Sequence, residues 1–264
     1  MMCKHAPIGV MDSGLGGLSV VSALREILPY EDIIYYGDTA NCPYGNKTKE
    51  ELLSLSRTML TFLQQKQVKC VALACNTTSA LADLLRSDFS MPIITVAECA
   101  ADAIGKMDLD RVGLLATVST AKSEIYKTRI QAVSPAVQVF SHGSVNLARL
   151  VEENHPTSEH VDAEIRSCMD ALLNQDTIND VILGCTHYPL VKDRFELLYP
   201  NIRFMDPAPH QAAFLKHFLD AEKAENEEHK PSLSIYTTGT IDAFRDVCAA
   251  NGLSEHYHTS FYQI

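Results

Sequence analysis

Short apolar runs alternate with stretches of helical spacing along most of the chain. Residues 6–11 (APIGVM) predict a buried strand; beyond the turn DSGLGGLS, Leu18, Val21, Leu24 and Leu28 recur at helical intervals over residues 17–28. The run DIIYYGD predicts a second strand ending at Asp38, followed by the loop TANCPYGN. Thr48 and Glu51 have capping-box spacing ahead of a helix that ends near Gln65. A strand leading to Cys75 and its helix come next, then a strand IITVA after Pro92, and RVGLLAT before a helix over residues 120–132. VQVFS leads to a helix holding Val151 and Glu152, residues 158–174 form another, and a further strand reaches Cys185. IRFMD, a long helix from about Pro209, LSIYTTG and a closing helix complete the series. Such alternation predicts an α/β fold of parallel sheets wrapped by helices. The polar run AEKAENEEHKPS (221–232) reads as a solvated helix end.

One pattern occurs twice. Residues 68–80 read VKCVALACNTTSA and residues 179–191 read NDVILGCTHYPLV: an apolar strand, a small residue, a cysteine, then polar residues that open a helix. Ligands in open α/β sheets gather where such strands end. Cys75 and Cys185 are therefore expected at equivalent points of two similar halves, one thiol on each wall of a shared pocket. Taken singly, each also reads as core, because cysteine is among the most buried residue types. The pairing favours chemistry on two faces of one molecule. Moving the α-proton of an amino acid from one face to the other needs a base opposite an acid. Thiols suit both tasks, since a free cysteine titrates at about 8.5 and its surroundings shift that value.

Composition narrows the setting. The 264 residues are 46% hydrophobic and 21% charged, enough for one large or two modest cores. A net charge of −11 argues against a nucleic-acid partner. No apolar run approaches a membrane span and the first residues pass directly into a strand, so a cytoplasmic protein is expected. Eight cysteines without CxxC spacing fit a reducing compartment, and since a zinc site would have to gather distant ligands such as Cys185, His187 and Cys75, no metal is expected.

Two further turns carry polar groups. DSGLGG sets Asp12 and Ser13 past a strand, with Gly14, Gly16 and Gly17 letting backbone amides face an anion; alternatively it is a tight connection with Asp12 as a cap. In GDTANCPYG, Asp38 ends a strand and Pro43, Tyr44 and Gly45 either present a phenol and amides or form a rigid loop in which Tyr44 packs. The turns hold neutral donors and no Arg or Lys, which suits a zwitterionic dicarboxylate held by amides, hydroxyls and helix N-termini. His187 stands two residues after Cys185 and is placed either to polarise it or to cap and pack.

DSGLGGLS, YYGDTANCPYG, ACNTTSA and GCTHYPLV, in this order, resemble the glutamate racemases of the aspartate/glutamate racemase superfamily, over essentially the whole chain. GCTHYPL with the DSG turn favours glutamate over aspartate or hydantoin relatives. The resemblance implies two pseudo-symmetric α/β domains, residues 1–97 plus 208–264 and residues 98–207, with the site between them. It implies cofactor-independent interconversion of L- and D-glutamate, Cys75 and Cys185 exchanging the proton with help from Asp12, Glu152 and His187. Substrate contacts would fall to Asp12, Ser13, Asp38, Pro43, Tyr44, Gly45, Asn76, Thr77, Thr186 and His187. A homodimer and a supply of D-glutamate for peptidoglycan are further implications.

The chain departs from that pattern at Thr95–Cys99, at Ser144 and Val145, and at Asn41, which leaves Glu153 as an alternative to Glu152. Nucleotide-precursor activation, which in some relatives resembles the work of an N-terminal activator-binding segment, is not expected. Two other readings remain: a thiol hydrolase using one cysteine and a histidine, and a glutamate-binding protein without turnover.

Overall fold

The computed structural model describes residues 3–153 and 159–264. Among them, ten strands form two wholly parallel sheets. The strands are β1 (Ile8–Asp12), β2 (Ile33–Gly37), β3 (Cys70–Leu73), β4 (Ile93–Thr95), β5 (Arg111–Thr117), β6 (Gln138–Ser144), β7 (Asp180–Gly184), β8 (Arg203–Met205), β9 (Ser232–Thr237) and β10 (His258–Gln263). The larger sheet has the order β10-β9-β2-β1-β3-β4 and the smaller β6-β5-β7-β8. The arrangement β2-β1-β3-β4 matches β6-β5-β7-β8 strand for strand, so the strand before Cys75 and the strand before Cys185 are topological equivalents. In both sheets the order reverses beside the central strand, the point where open α/β sheets form a crevice.

Helices cover both faces of each sheet, which explains why the inner strands read as continuous apolar runs. Ile8 and Val10 pack on one face with helices Leu18–Ile27 and Ala208–Glu222, while Met11 packs on the other with helix Lys49–Gln65. In the smaller sheet Val112 and Leu114 face helices Val96–Ile104 and Ile125–Val133, whereas Leu115 faces helix Glu159–Leu173. The expected capping box is formed: the Glu51 amide donates to Thr48 Oγ1 and the Thr48 amide to Glu51 Oε2.

Several elements differ from the sequence reading. The strand IITVA stops at Thr95, whose hydroxyl accepts from the Glu98 amide and starts helix Val96–Ile104. The helix expected over 120–132 is two helices, Val118–Ser123 and Ile125–Val133, joined at Glu124 in a left-handed conformation (φ 54°). The helix expected from residue 158 runs from Glu159 to Leu173; residue 158 lies outside the described residues.

The chain does not close on a helix. Helices Asp242–Ala250 and Leu253–His256 are followed by β10, an edge strand whose half-exposed residues give no apolar alternation. Nor is the polar run 221–232 merely solvated. The helix ends at Glu222, Ala224 and Asn226 are buried, and the Asn226 amide donates to Glu31. Glu31 is ion-paired with the fully buried Lys69 at 2.6 Å, and Lys69 also donates to the Ala224 carbonyl. A buried pair needs such extra partners, because desolvation can exceed the mutual attraction of two charges.

Candidate active site

The segments after β1, β2, β3, β6 and β7 and the end of β5 meet between the two sheets and enclose a small cavity. Cys75 and Cys185 both line it, together with Ser13, Asn76 and Thr77 from one side and Thr186 and His187 from the other. Pro43, Tyr44 and Gly45 complete one wall. Its volume is about 10 Å³, room for roughly one water and too small for an amino acid.

Cys75 is held where β3 gives way to a short helical turn, Asn76–Ser79, whose Thr78 and Ser79 hydroxyls donate to the Cys75 carbonyl. Its sulfur lies 3.8 Å from Ser13 Oγ. Burial, and next the negative charge of Asp12, push this thiol up to about 11.

Asp12 itself does not line the cavity. Its Oδ2 accepts from the Gly14 and Gly17 amides at 3.1 Å each, so it caps its own turn, and its Oδ1 accepts from Thr186 Oγ1 at 3.1 Å across the cleft. Burial raises its carboxyl above the usual range, with His187 and the two amides opposing the rise. The Gly14 and Gly17 amides are thus spent on Asp12, as the capping reading of the DSGLGG turn has it, rather than turned toward a ligand.

Across the cavity, Cys185 Sγ is 3.7 Å from His187 Nδ1, and His187 Nε2 is 2.5 Å from Glu152 Oε2. Burial disfavours an imidazolium, but hydrogen bonds with Cys185, Cys42 and Glu152 outweigh it and hold His187 well above its ordinary value. Glu152 is therefore the carboxylate that faces this wall; the Glu153 side chain lies outside the described residues. The altered pair Ser144–Val145 explains part of that placement. Ser144 Oγ accepts from the Leu147 amide and donates to Glu164, fixing the start of the helix that carries Glu152.

Asp38 is not brought to the cavity. Its carboxylate is consumed by Tyr44 Oη (2.5 Å), Asn41 Nδ2 (2.9 Å) and Thr238 Oγ1 (2.8 Å). The Tyr44 phenol is likewise spent: the ring lines the cavity while its hydroxyl donates to Asp38, so what remains for a ligand is the ring face and nearby amides. Asn76 Oδ1 accepts from Tyr126 Oη at 2.7 Å, and Thr77 Oγ1 meets Thr117 Oγ1 at 3.0 Å, both across the cleft.

Three lining residues were not among those named from the sequence: Cys42, Thr117 and Ala148. Thr117 ends β5, the counterpart of β1, so the repeat itself held that signal. Cys42 lay inside the motif quoted for Pro43 and Tyr44. For Ala148 the sequence carried no sign.

Fold and cavity together define a two-halved α/β protein in which matching strand ends each bring one thiol to a common pocket. The family model for Asp/Glu/Hydantoin racemase matches residues 8–215, and the chain belongs to that family. A glutamate racemase from Trichormus variabilis is 39% identical over 219 residues, covering 82% of this chain and 74% of that one. Among solved structures, a glutamate racemase isoform from Bacillus anthracis superposes with a TM-score of 0.89 at 31% identity, covering 98% of this chain and 97% of that one. The Francisella tularensis glutamate racemase in complex with D-glutamate gives 0.88 at 30% identity, covering 99% and 97%.

Proposed function

We propose that this protein is a glutamate racemase that interconverts L- and D-glutamate by passing the α-proton between Cys75 and Cys185 without a cofactor. The observation that carries the reading is the pair of thiols at equivalent strand ends lining one cavity. One thiolate removes the proton from one face while the opposite thiol returns a proton to the other, and the roles exchange with direction. Asp12 serves the Cys75 wall. His187, oriented by Glu152, serves the Cys185 wall, with Nδ1 directed at the sulfur. Ser13, Asn76, Thr77, Thr186 and the amides near Pro43, Tyr44 and Gly45 are the groups offered to the substrate's carboxylates and ammonium. Asp38 acts through Tyr44, by holding the ring in the wall.

The relatives named as glutamate racemases support glutamate as the substrate, and D-glutamate made here would feed peptidoglycan synthesis. We further propose domains at residues 1–97 plus 208–264 and 98–207. Helix Val96–Ile104 packs against a helix of each and forms the join. A cytoplasmic homodimer completes the reading. It is in keeping with eight free cysteines and with the absence, among the described residues, of a helix long and apolar enough to cross a membrane.

Cys185, His187 and Glu152 alone would also suit a thiol hydrolase, since they form a nucleophile–base–carboxylate relay. Hydrolysis, however, has no use for Cys75. The test is purified protein in deuterated water with each glutamate enantiomer and no added cofactor. Deuterium entry at the α-carbon with loss of optical activity from both is expected. Glutamate raising the melting temperature without exchange would reduce the protein to a binding module, and an acyl-enzyme burst with an activated ester would favour the hydrolase.

A further inference from the structure

Cys42 has no part in the proton transfer proposed above, yet its side chain meets the His187–Glu152 pair. Among the described residues, donor atoms of Cys42, Glu152 and His187 all lie within 4.8 Å of one another. The sequence led to no expectation of a metal, since only distant residues such as Cys75, Cys185 and His187 offered themselves for zinc. The three come from independently fixed elements: the loop between Asp38 and Pro43, the helix Leu147–Glu153 and the turn after β7. His187 is buried and the other two are half-buried, so a small ion could reach them while solvent is largely excluded.

We propose that Cys42, Glu152 and His187 form a binding site for one zinc ion, or another thiophilic divalent cation of its size. A thiolate, an imidazole nitrogen and a carboxylate oxygen give three protein ligands and leave a fourth position open, as zinc accepts when water or substrate is the last ligand. The sulfur excludes magnesium and calcium as the preferred ions, since both take oxygen donors. With bonds of roughly 2.0–2.3 Å, tetrahedral donors stand about 3.3–3.8 Å apart. His187 Nε2 and Glu152 Oε2, now 2.5 Å apart, therefore separate by about 1 Å as the ion replaces the proton between them. Binding releases that proton and the Cys42 thiol proton, so two positive charges leave as two arrive.

The second ring nitrogen is already provided for. Metal-bound histidines are usually held at their other nitrogen by a partner, and Cys185 stands 3.7 Å from Nδ1. Cys185 is thus the partner of a ligand rather than a ligand, because it lies on the opposite side of the ring from Glu152. Since Cys42 and His187 both line the cavity, an ion between them takes His187 from its task; this consequence alone rests on the racemase reading.

The direct test is equilibrium dialysis of the metal-stripped protein against Zn²⁺, with zinc-edge X-ray absorption on the loaded sample. One ion per chain is expected, weakened at least about tenfold by Cys42→Ser and by Glu152→Gln and unaffected by Cys75→Ser. The expected shell holds one sulfur at about 2.3 Å and lighter ligands at about 2.0 Å. A two-sulfur or sulfur-free shell, binding indifferent to Cys42→Ser, or no uptake at millimolar Zn²⁺ would overturn the proposal. If Cys42→Ser fails to fold, the shell of the unaltered protein decides. Stoichiometry is read without turnover, so a failure of the racemase reading leaves this result standing.

Discussion

Cys75 and Cys185 occupy equivalent positions but different electrostatic surroundings. Burial and the Asp12 carboxylate press the Cys75 thiol up to about 11, so in the closed protein it holds its proton at neutral pH. Neutralising that charge would make the Cys75 thiolate easier to form. The other wall is built differently, around a histidine held cationic by Cys185, Cys42 and Glu152 against the cost of burial. A specific consequence attaches to Asp12. Asparagine keeps an acceptor for the Gly14 and Gly17 amides but removes the charge, so in Asp12→Asn the Cys75 ionisation midpoint should fall below the wild-type value of about 11. Followed by mass spectrometry, Cys75 alkylation at pH 8 should rise, by up to about tenfold per unit of that fall. An unchanged midpoint would remove Asp12 from the account of this thiol.

At the scale of elements, the turn after β1 depends on how closely it meets the turn after β7. A Cβ on Gly16 would stand 2.6 Å from the Thr186 backbone carbon, which cannot swing aside as a long side chain could. Gly16→Ala should therefore hold the halves apart and lower kcat/KM for glutamate by about 10- to 100-fold, with little change in melting temperature, because positioning is sensitive to ångström shifts. Wild-type kinetics in this variant would mean that the close approach does not matter to turnover. The same elements show what the sequence could and could not carry. Buried parallel strands were legible because both faces are covered and the apolar runs are continuous, and Thr48 with Glu51 marked a helix start directly. Beta10 was not legible, since an edge strand with half-exposed residues has no pattern to read. Thr95 and Ser144 looked like departures, yet their hydroxyls cap or anchor helices, a role visible only once the backbone amides are in place. Tyr44 and Asp38 could be named but not assigned, because their mutual hydrogen bond decides which of them faces a ligand.

For the molecule as a whole, the repeat of strand order sets Cys75 and Cys185 at matching strand ends of one cavity. The halves are fastened across the cleft by Thr186 to Asp12, Tyr126 to Asn76, the Thr77–Thr117 contact and Ser119 to the Gly45 carbonyl. The three between neutral groups are each worth about 0.5–1.5 kcal/mol, and the one to the Asp12 carboxylate about 1.5–3 kcal/mol. The central claim is that each thiol serves one face only. The measurement that meets it most directly is α-proton exchange in deuterated water by Cys75→Ser and Cys185→Ser, each supplied separately with L- and D-glutamate. Racemisation should fall by at least about 10²-fold in both variants. Each should retain exchange from one enantiomer, and the two should retain opposite ones. Racemisation undiminished in either variant, or exchange from the same enantiomer in both, would contradict the assignment of one thiol to each face.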